Sequence, residues 1–302
     1  MPRLLFGVNI PSAAGPDSDP AGQARAAERL GFDFVSASDH PGSASPVFEN
    51  WTMLTWIAAA TSRITVMPRV LGVPLRLPAL LAKAAEALSR LSDGRLILGL
   101  GAGYDDQELA SLGLAAGTPG DKLRGLQDAV RIMGGLWRQP GGFSYDGPVY
   151  STRDAHLEPK PARPIPIWLG TFGPRALELT GQVADGWIPS RGYMPDEQIP
   201  VMRQRVLDAA QRAGRDPAQI TCALNLSVRL ASTDHRDADQ LEGTPAKIAD
   251  GLRHYIGLGF TAFNFIVHGD EQTGQVERLA NEVLPVITAE HRGARARQRE
   301  PR

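Results

Sequence analysis

Eight times along the chain a short apolar, β-branched run is followed by a longer segment with helical spacing, and this alternation constrains the fold more than any other feature. Repeated βα units demand a parallel sheet covered by helices, because parallel neighbours need a crossover and the crossover helix lies on the sheet face. Strands are predicted over 4–10, 32–37, 64–71, 95–101, 165–169, 185–188, 219–229 and 261–267. Helices are predicted over 20–30, 48–61, 78–91, 121–137, 174–182, 196–213, 245–258 and 272–290. Several of these open with proline at the first turn, where its missing N–H has no intrahelical partner to lose. In the third helix Leu80, Ala84, Ala87, Leu88 and Leu91 share one face, which is expected to pack on the sheet. Runs such as Leu96-Ile97-Leu98-Gly99-Leu100 are continuously apolar, as in a parallel sheet buried on both sides. The expected fold is an α/β (β/α)8 TIM barrel, with an open doubly wound sheet as the rival.

Size and charge agree with this reading. The 302 residues fit one barrel of roughly 250 residues with insertions, so residues 1–290 are expected to form one domain. The Arg-rich segment 291–302 lacks apolar anchors and is expected to be a disordered, solvated tail. Lys and Arg total 32 against 33 for Asp and Glu, a net charge of −1, which attracts neither nucleic acid nor an anionic membrane. A small-molecule substrate is the expected partner, and a homodimer is left open. The single cysteine, Cys222, cannot form an intrachain disulfide, and no Cys/His cluster is spaced for a metal. The first ten residues read as a strand, and no run of about 18 apolar residues is present, so a cytoplasmic protein is expected. Two segments break the rhythm: 141–156 has hairpin chemistry around Tyr145-Asp146-Gly147-Pro148, and 229–244 is a polar, Asp-rich connection.

Three segments at strand ends can carry chemistry, because barrel active sites lie at the carboxyl edge. Asp39-His40 follows the second strand and places an imidazole where it can exchange protons near neutral pH; a capping Asp beside an incidental surface His is the alternative. Gly99-Leu100-Gly101-Ala102-Gly103-Tyr104 ends the fourth strand and permits close backbone approach to a ligand. Its G-x-G-x-G spacing departs from the dinucleotide fingerprint. Gly170-Thr171-Phe172-Gly173-Pro174-Arg175 follows the fifth strand and opens a helix, whose free N–H groups suit a phosphate as readily as the segment suits a plain turn. His156, His235, His254 and His268 show no metal spacing; His268, just past the last strand, is the least settled of them. No G-x-S-x-G elbow or H-E-x-x-H motif occurs.

Taken in order, Leu30-Gly31-Phe32-Asp33 through Asp39-His40, Thr61-Ser62-Arg63-Ile64, Arg76-Leu77-Pro78, Leu91-Ser92-Asp93-Gly94-Arg95-Leu96 and Gly99 to Gly103 resemble the bacterial luciferase-like flavin-dependent oxidoreductases. The likeness continues through Pro164 to Gly170, Gly173-Pro174-Arg175, Ala184-Asp185-Gly186-Trp187 and Gly243-Thr244-Pro245. The resemblance implies a barrel holding a flavin at the carboxyl end of its strands. Asp39-His40 and the Leu91–Gly103 segment are most similar to the branch that uses the deazaflavin F420, with FMN as the alternative cofactor. By the same likeness His40 and Asp39 would be catalytic and Asp39 would also border the cofactor. Arg69-Val70 would form a non-prolyl cis peptide supporting the ring. Gly101, Ala102, Gly103 and Tyr104 would line the ring or its side chain, and Gly170, Thr171, Phe172, Gly173, Pro174 and Arg175 would receive the phosphate. No metal is implied. Two positions depart from the pattern: Tyr104 stands where some F420 enzymes carry a catalytic glutamate, and Thr171-Phe172 replaces a paired glycine before Gly173. The implied activity is hydride transfer between F420 and a small organic substrate. An FMN-dependent monooxygenase or reductase, and a flavin-binding protein without turnover, are the other readings.

Overall fold

Parallel strands turn the helical crossovers outward and close on themselves in the computed structural model, which describes residues 2–103, 105–233, 240–268 and 272–299. The first half runs β1 (Leu5–Asn9), α1 (Pro20–Arg29), β2 (Phe34–Ala37), α2 (Asn50–Ala60), β3 (Thr65–Pro68), β4 (Leu71–Gly72), α3 (Pro78–Leu91) and β5 (Leu98–Gly101). Next come α4 (Asp106–Ser111), α5 (Pro119–Arg138), β6 (Phe143–Asp146), β7 (Ser151–Ala155), β8 (Ile167–Leu169), α6 (Pro174–Val183) and β9 (Gly186–Trp187). The chain ends with α7 (Ile199–Arg212), β10 (Thr221–Leu230), β11 (Gln240–Gly243), α8 (Pro245–Gly257), β12 (Ala262–Val267), α9 (Gln272–Arg278) and α10 (Leu284–Arg299).

Strand order is β3-β2-β1-β12-β10-β9-β8-β5-β4, so the two ends of the path are consecutive pieces of one barrel strand. The ring closes between β3 and the approach to β5: Val66 N–H donates to Arg95 O at 3.0 Å, and Ile97 N–H donates to Val66 O at 3.1 Å. Inside, Phe34, Met67, Trp168, Ile188, Ala223 and Ala262 form the barrel core, with Leu5, Val70 and Ile97 packed on it. The alternate residues, among them Val35, Val66, Leu98, Leu169 and Leu224, are buried beneath the helices. Capping follows sequence chemistry: Asp19 accepts from Gly22 N–H, and Thr118 with Asp121 forms a capping box.

Several expectations need correction. The third strand is not continuous over 64–71; it breaks after Pro68, its first half pairing with β2 and its second with β5. The third helix buries Leu81, Ala82, Ala85 and Leu88, whereas Leu80 and Leu91 are 67% and 83% exposed. Apolar residues surround most of that helix, so periodicity alone selected the wrong stripe. Helix α4 was not anticipated. The expected disordered tail instead extends α10 to Arg299, and His291 Nε2 lies 2.8 Å from Pro2 O; residues 300–302 lie outside the described set. The 141–156 hairpin is present as β6 and β7, and the 229–244 connection returns as β11 beside β10. Among the described residues no helix is long and apolar enough to cross a membrane.

One side chain ties the closing seam. Arg95 uses all five guanidinium hydrogens: Nε to Ser92 O (2.8 Å), Nη1 to Thr61 Oγ1 (3.1 Å) and Ile64 O (2.9 Å), and Nη2 to Ala58 O (2.7 Å) and Thr61 O (3.2 Å). It thereby satisfies the last carbonyls of α2 and holds the start of β3 to the α3–β5 turn. Arg95→Met strands these acceptors and is expected to cost about 3 kcal/mol in urea unfolding. Arg95→Lys recovers only part of it, because an ammonium lacks the planar fork. An unchanged urea midpoint in Arg95→Met refutes this role.

Candidate active site

The carboxyl ends of the strands bring most of the candidate residues together. After β3 the Arg69–Val70 peptide is cis, at the position where the resemblance placed one. Val70 turns into the barrel among three glycines. A Cβ on Gly99 would lie 2.0 Å from Pro68 O and 3.2 Å from Val70 Cγ1, one on Gly101 2.8 Å from Val70 Cγ2, and one on Gly170 3.2 Å from Val70 Cγ2. The glycines of β5 and of the turn after β8 therefore give way to Val70 itself, leaving one low apolar surface at the barrel mouth.

Asp39 anchors this surface rather than facing it. Its carboxylate is fully buried and accepts two bonds from Arg76, Nη1 to Oδ2 at 2.7 Å and Nη2 to Oδ1 at 2.9 Å, and one from Gly72 N–H at 3.0 Å. Burial works against the Arg76 charge, yet the carboxylates of Asp39 and of Glu49, which it also pairs with, raise its pKa above the usual value. Both Asp39 oxygens are committed to holding the start of β4 and the turn before α3.

His40 is oriented by a residue the sequence reading missed. Its exposed ring places Nδ1 3.0 Å from Glu108 Oε2, and Glu108 Oε1 accepts from Gly42 N–H at 2.9 Å. A carboxylate oxygen accepts, so Nδ1 is the donor in this bond. Among the described residues Nε2 has no protein partner. Glu108 sits on α4, whose N-cap Asp105 accepts from Gln107 and Glu108 N–H. Six residues are too few for a periodic stripe, and the run Asp105-Asp106-Gln107-Glu108 was the available signal.

The third segment divides. Thr171 is buried, with Oγ1 2.7 Å from Thr180 Oγ1 and its carbonyl accepting from Trp187 Nε1 at 2.9 Å, so its side chain serves packing instead of a phosphate. Gly173 caps α6 with no side-chain bond, and a Cβ there would meet nothing within 4 Å. Exposed Arg175 has no ion pair among the described residues. Phe172 lies against Tyr193, ring centroids 5.7 Å apart. Ala102 and Gly103 continue from β5, Gly103 at φ 89°, and Tyr104 lies outside the described residues. His268 Nε2 is 3.3 Å from Ser227 Oγ at the same end of the barrel, whereas His156, His254 and His291 lie elsewhere and His235 is outside the described set. A cavity of about 580 Å³ opens at the opposite end, by Trp137, Arg163, Asp185 and Arg215, away from all of this chemistry.

The family model for luciferase-like monooxygenases matches residues 6–241. The chain belongs to that family. An F420-dependent glucose-6-phosphate dehydrogenase of Nakamurella multipartita is 30% identical over 246 residues, 79% of this chain and 71% of that protein. Among luciferase-like folds, an F420-dependent secondary alcohol dehydrogenase in complex with an F420–acetone adduct superimposes with a TM-score of 0.84 at 18% identity, covering 94% of this chain and 99% of that one. The coenzyme F420-dependent tetrahydromethanopterin reductase of Methanopyrus kandleri gives 0.81 at 17% identity, covering 95% and 100%.

The Asp39 geometry makes a stability statement. Asp39→Asn removes one partner of a buried ion pair and leaves Arg76 undercompensated, a loss of about 3 kcal/mol. Thermal unfolding should show a clearly lower Tm than wild type; an equal Tm would mean the pair contributes nothing.

Proposed function

We infer that this luciferase-like protein is an oxidoreductase that transfers a hydride between coenzyme F420 and a small organic substrate. The observation that carries the reading is the apolar surface of Val70 at the mouth, kept low by Gly99, Gly101 and Gly170, at the same barrel end as an imidazole whose Nε2 has no partner among the described residues. F420 is preferred over FMN because the relative and both structures described above are named for it. A sugar phosphate is not assigned as substrate, since Tyr104 stands where some F420 enzymes carry a catalytic glutamate.

The residues present fit such a group. Val70, Gly101, Ala102 and Gly103 would lie under and beside the ring, with the Arg69–Val70 peptide as part of that support. The open space over Gly173, the N-terminus of α6 and Arg175 would take the phosphate. F420, when bound, supplies or accepts the hydride. His40 holds or releases the accompanying proton at Nε2. Glu108 orients the ring through Nδ1.

Titration of the purified protein with F420 and with FMN, followed by fluorescence, tests the cofactor. Binding of FMN alone moves the reading to an FMN-dependent monooxygenase or reductase, and binding of neither favours a protein without turnover. His40→Ala should lower kcat by about 100-fold with F420 affinity little changed. Glu108→Gln should lower kcat less than His40→Ala, because the amide still reaches the His40 ring that the carboxylate orients. A collapse of affinity with normal kcat at saturation would make His40 a binding residue only. Gly173→Val fills open space without a clash and should weaken F420 binding about tenfold at unchanged Tm. Equal affinity would remove this turn from the site.

A further inference from the structure

Above the apolar core the barrel interior changes to a connected polar layer. Ser36 Oγ donates to Asn264 Oδ1 (2.9 Å), Asn264 Nδ2 to Asn225 Oδ1 (2.8 Å), and Asn225 Nδ2 to Ser190 Oγ (3.1 Å). Arg69 Nε donates to Asn9 Oδ1 at 3.1 Å, and Ser36 Oγ lies 3.5 Å from the same oxygen. Ser36, Asn225 and Asn264 are buried, as is Asn9. These side chains come from the carboxyl ends of β1 and β2, the middles of β10 and β12 and the segments just after β3 and β9, so they surround one axis.

Most donors of this layer are used within it, and Arg69 is the exception. Among the described residues no carboxylate pairs with Arg69, and neither Nη group nor Asn9 Nδ2 has a protein acceptor. The neighbouring carboxylate that might have served, Asp39, is taken by Arg76. Burial pushes the Arg69 guanidinium down to about 10, with Tyr193 working the other way, so it still carries its charge at neutral pH. Arg69 is a partly buried cation whose two Nη groups find no acceptor among the described residues, and planar pairs of N–H groups match a carboxylate or phosphate.

We propose that Arg69 receives an oxyanion of the substrate, a carboxylate or a phosphate, and thereby selects acidic substrates over neutral ones. This rests on the F420 reading of the site and adds the substrate class to it. Arg69 acts here through its side chain, which is directed to Asn9, while Val70 carries the ring side of the same turn.

Benzoate, its neutral isostere benzamide and inorganic phosphate are titrated into the F420-loaded protein by F420 fluorescence, and into protein without F420 by thermal shift. Benzoate or phosphate should bind and benzamide should not; whichever anion binds more tightly identifies the group. Arg69→Met should weaken that anion about thirtyfold, and Arg69→Lys, which keeps the charge without the fork, by less than tenfold. Should Arg69→Met fail to fold, the benzoate-to-benzamide preference of Arg69→Lys still decides, falling below that of wild type if the fork matters. Equal binding of benzoate and benzamide, or anion binding unchanged in folded Arg69→Met, overturns the proposal. If F420 binds and no anion does, this proposal falls and the cofactor reading stands. If F420 does not bind but an anion raises the Tm through Arg69, the cofactor reading falls and the anion site stands.

Discussion

The insertion of Val70 into the barrel mouth is the constraint on which the rest of the site depends. A strand that ran straight from Thr65 to Gly72 would alternate side chains and keep one set of neighbours. Here the strand pairs with β2 up to Pro68 and with β5 from Leu71, so the chain must shift within two residues. Two clamps hold the halves. Arg95 fixes the entrance of β3 by bonding carbonyls of α2 and Ile64, and Asp39 with Arg76 fixes Gly72 at the far side. Glycines are then required at 99 and 101 because atoms of Pro68 and Val70 already occupy the space a Cβ would take. A glycine run that sequence reading assigned to ligand approach thus has a prior structural cause, and its openness to a ligand follows from it.

Charge at the mouth is sorted by the same geometry. Asp39 is neutralised by a bidentate partner and Glu108 accepts from the Gly42 N–H and the His40 ring, and neither carboxylate pairs with Arg69. Arg76 and Arg69 lie within one short stretch and differ completely in surroundings. One is held by two carboxylates, the other by an amide oxygen alone. In a partly desolvated site this difference separates a structural cation from one available to a ligand.

Legibility in the sequence followed the range of the forces involved. The span of α3 over 78–91, the prolines at helix first turns and the hairpin turn are set by local chemistry and were readable. The buried stripe of α3 was not, because Leu80 and Leu81 are equally apolar and only the neighbouring sheet chooses between them. Asp39 and Glu108 show the same limit at the site. Asp39 looked catalytic from its position beside His40, but Arg76, 37 residues away, claims both of its oxygens. Glu108 is 68 residues from the histidine it orients, and no spacing rule connects the two. The break in the third strand carried no local signal, since Met67-Pro68-Arg69-Val70-Leu71 reads as an apolar edge with one interruption.

The mouth therefore has two chemically distinct sectors. The side formed by β4, β5 and β8 is glycine and Val70, flat and without hydrogen-bonding side chains, which suits a planar ring. The side formed by β1, β2, β10 and β12 is Asn9, Ser36, Asn225 and Asn264, cross-bonded and buried, which suits a polar molecule of defined orientation. The turn after β3 belongs to both, because consecutive residues Arg69 and Val70 send one side chain to each. A displacement of that turn would move Val70 and the Arg69 side chain together, so on the proposed reading the distance between ring and substrate anion is set by two adjacent residues of one chain. Hydride transfer is steep in separation and alignment, and a barrel that fixes both partners from a single turn has fewer degrees of freedom through which to lose that alignment.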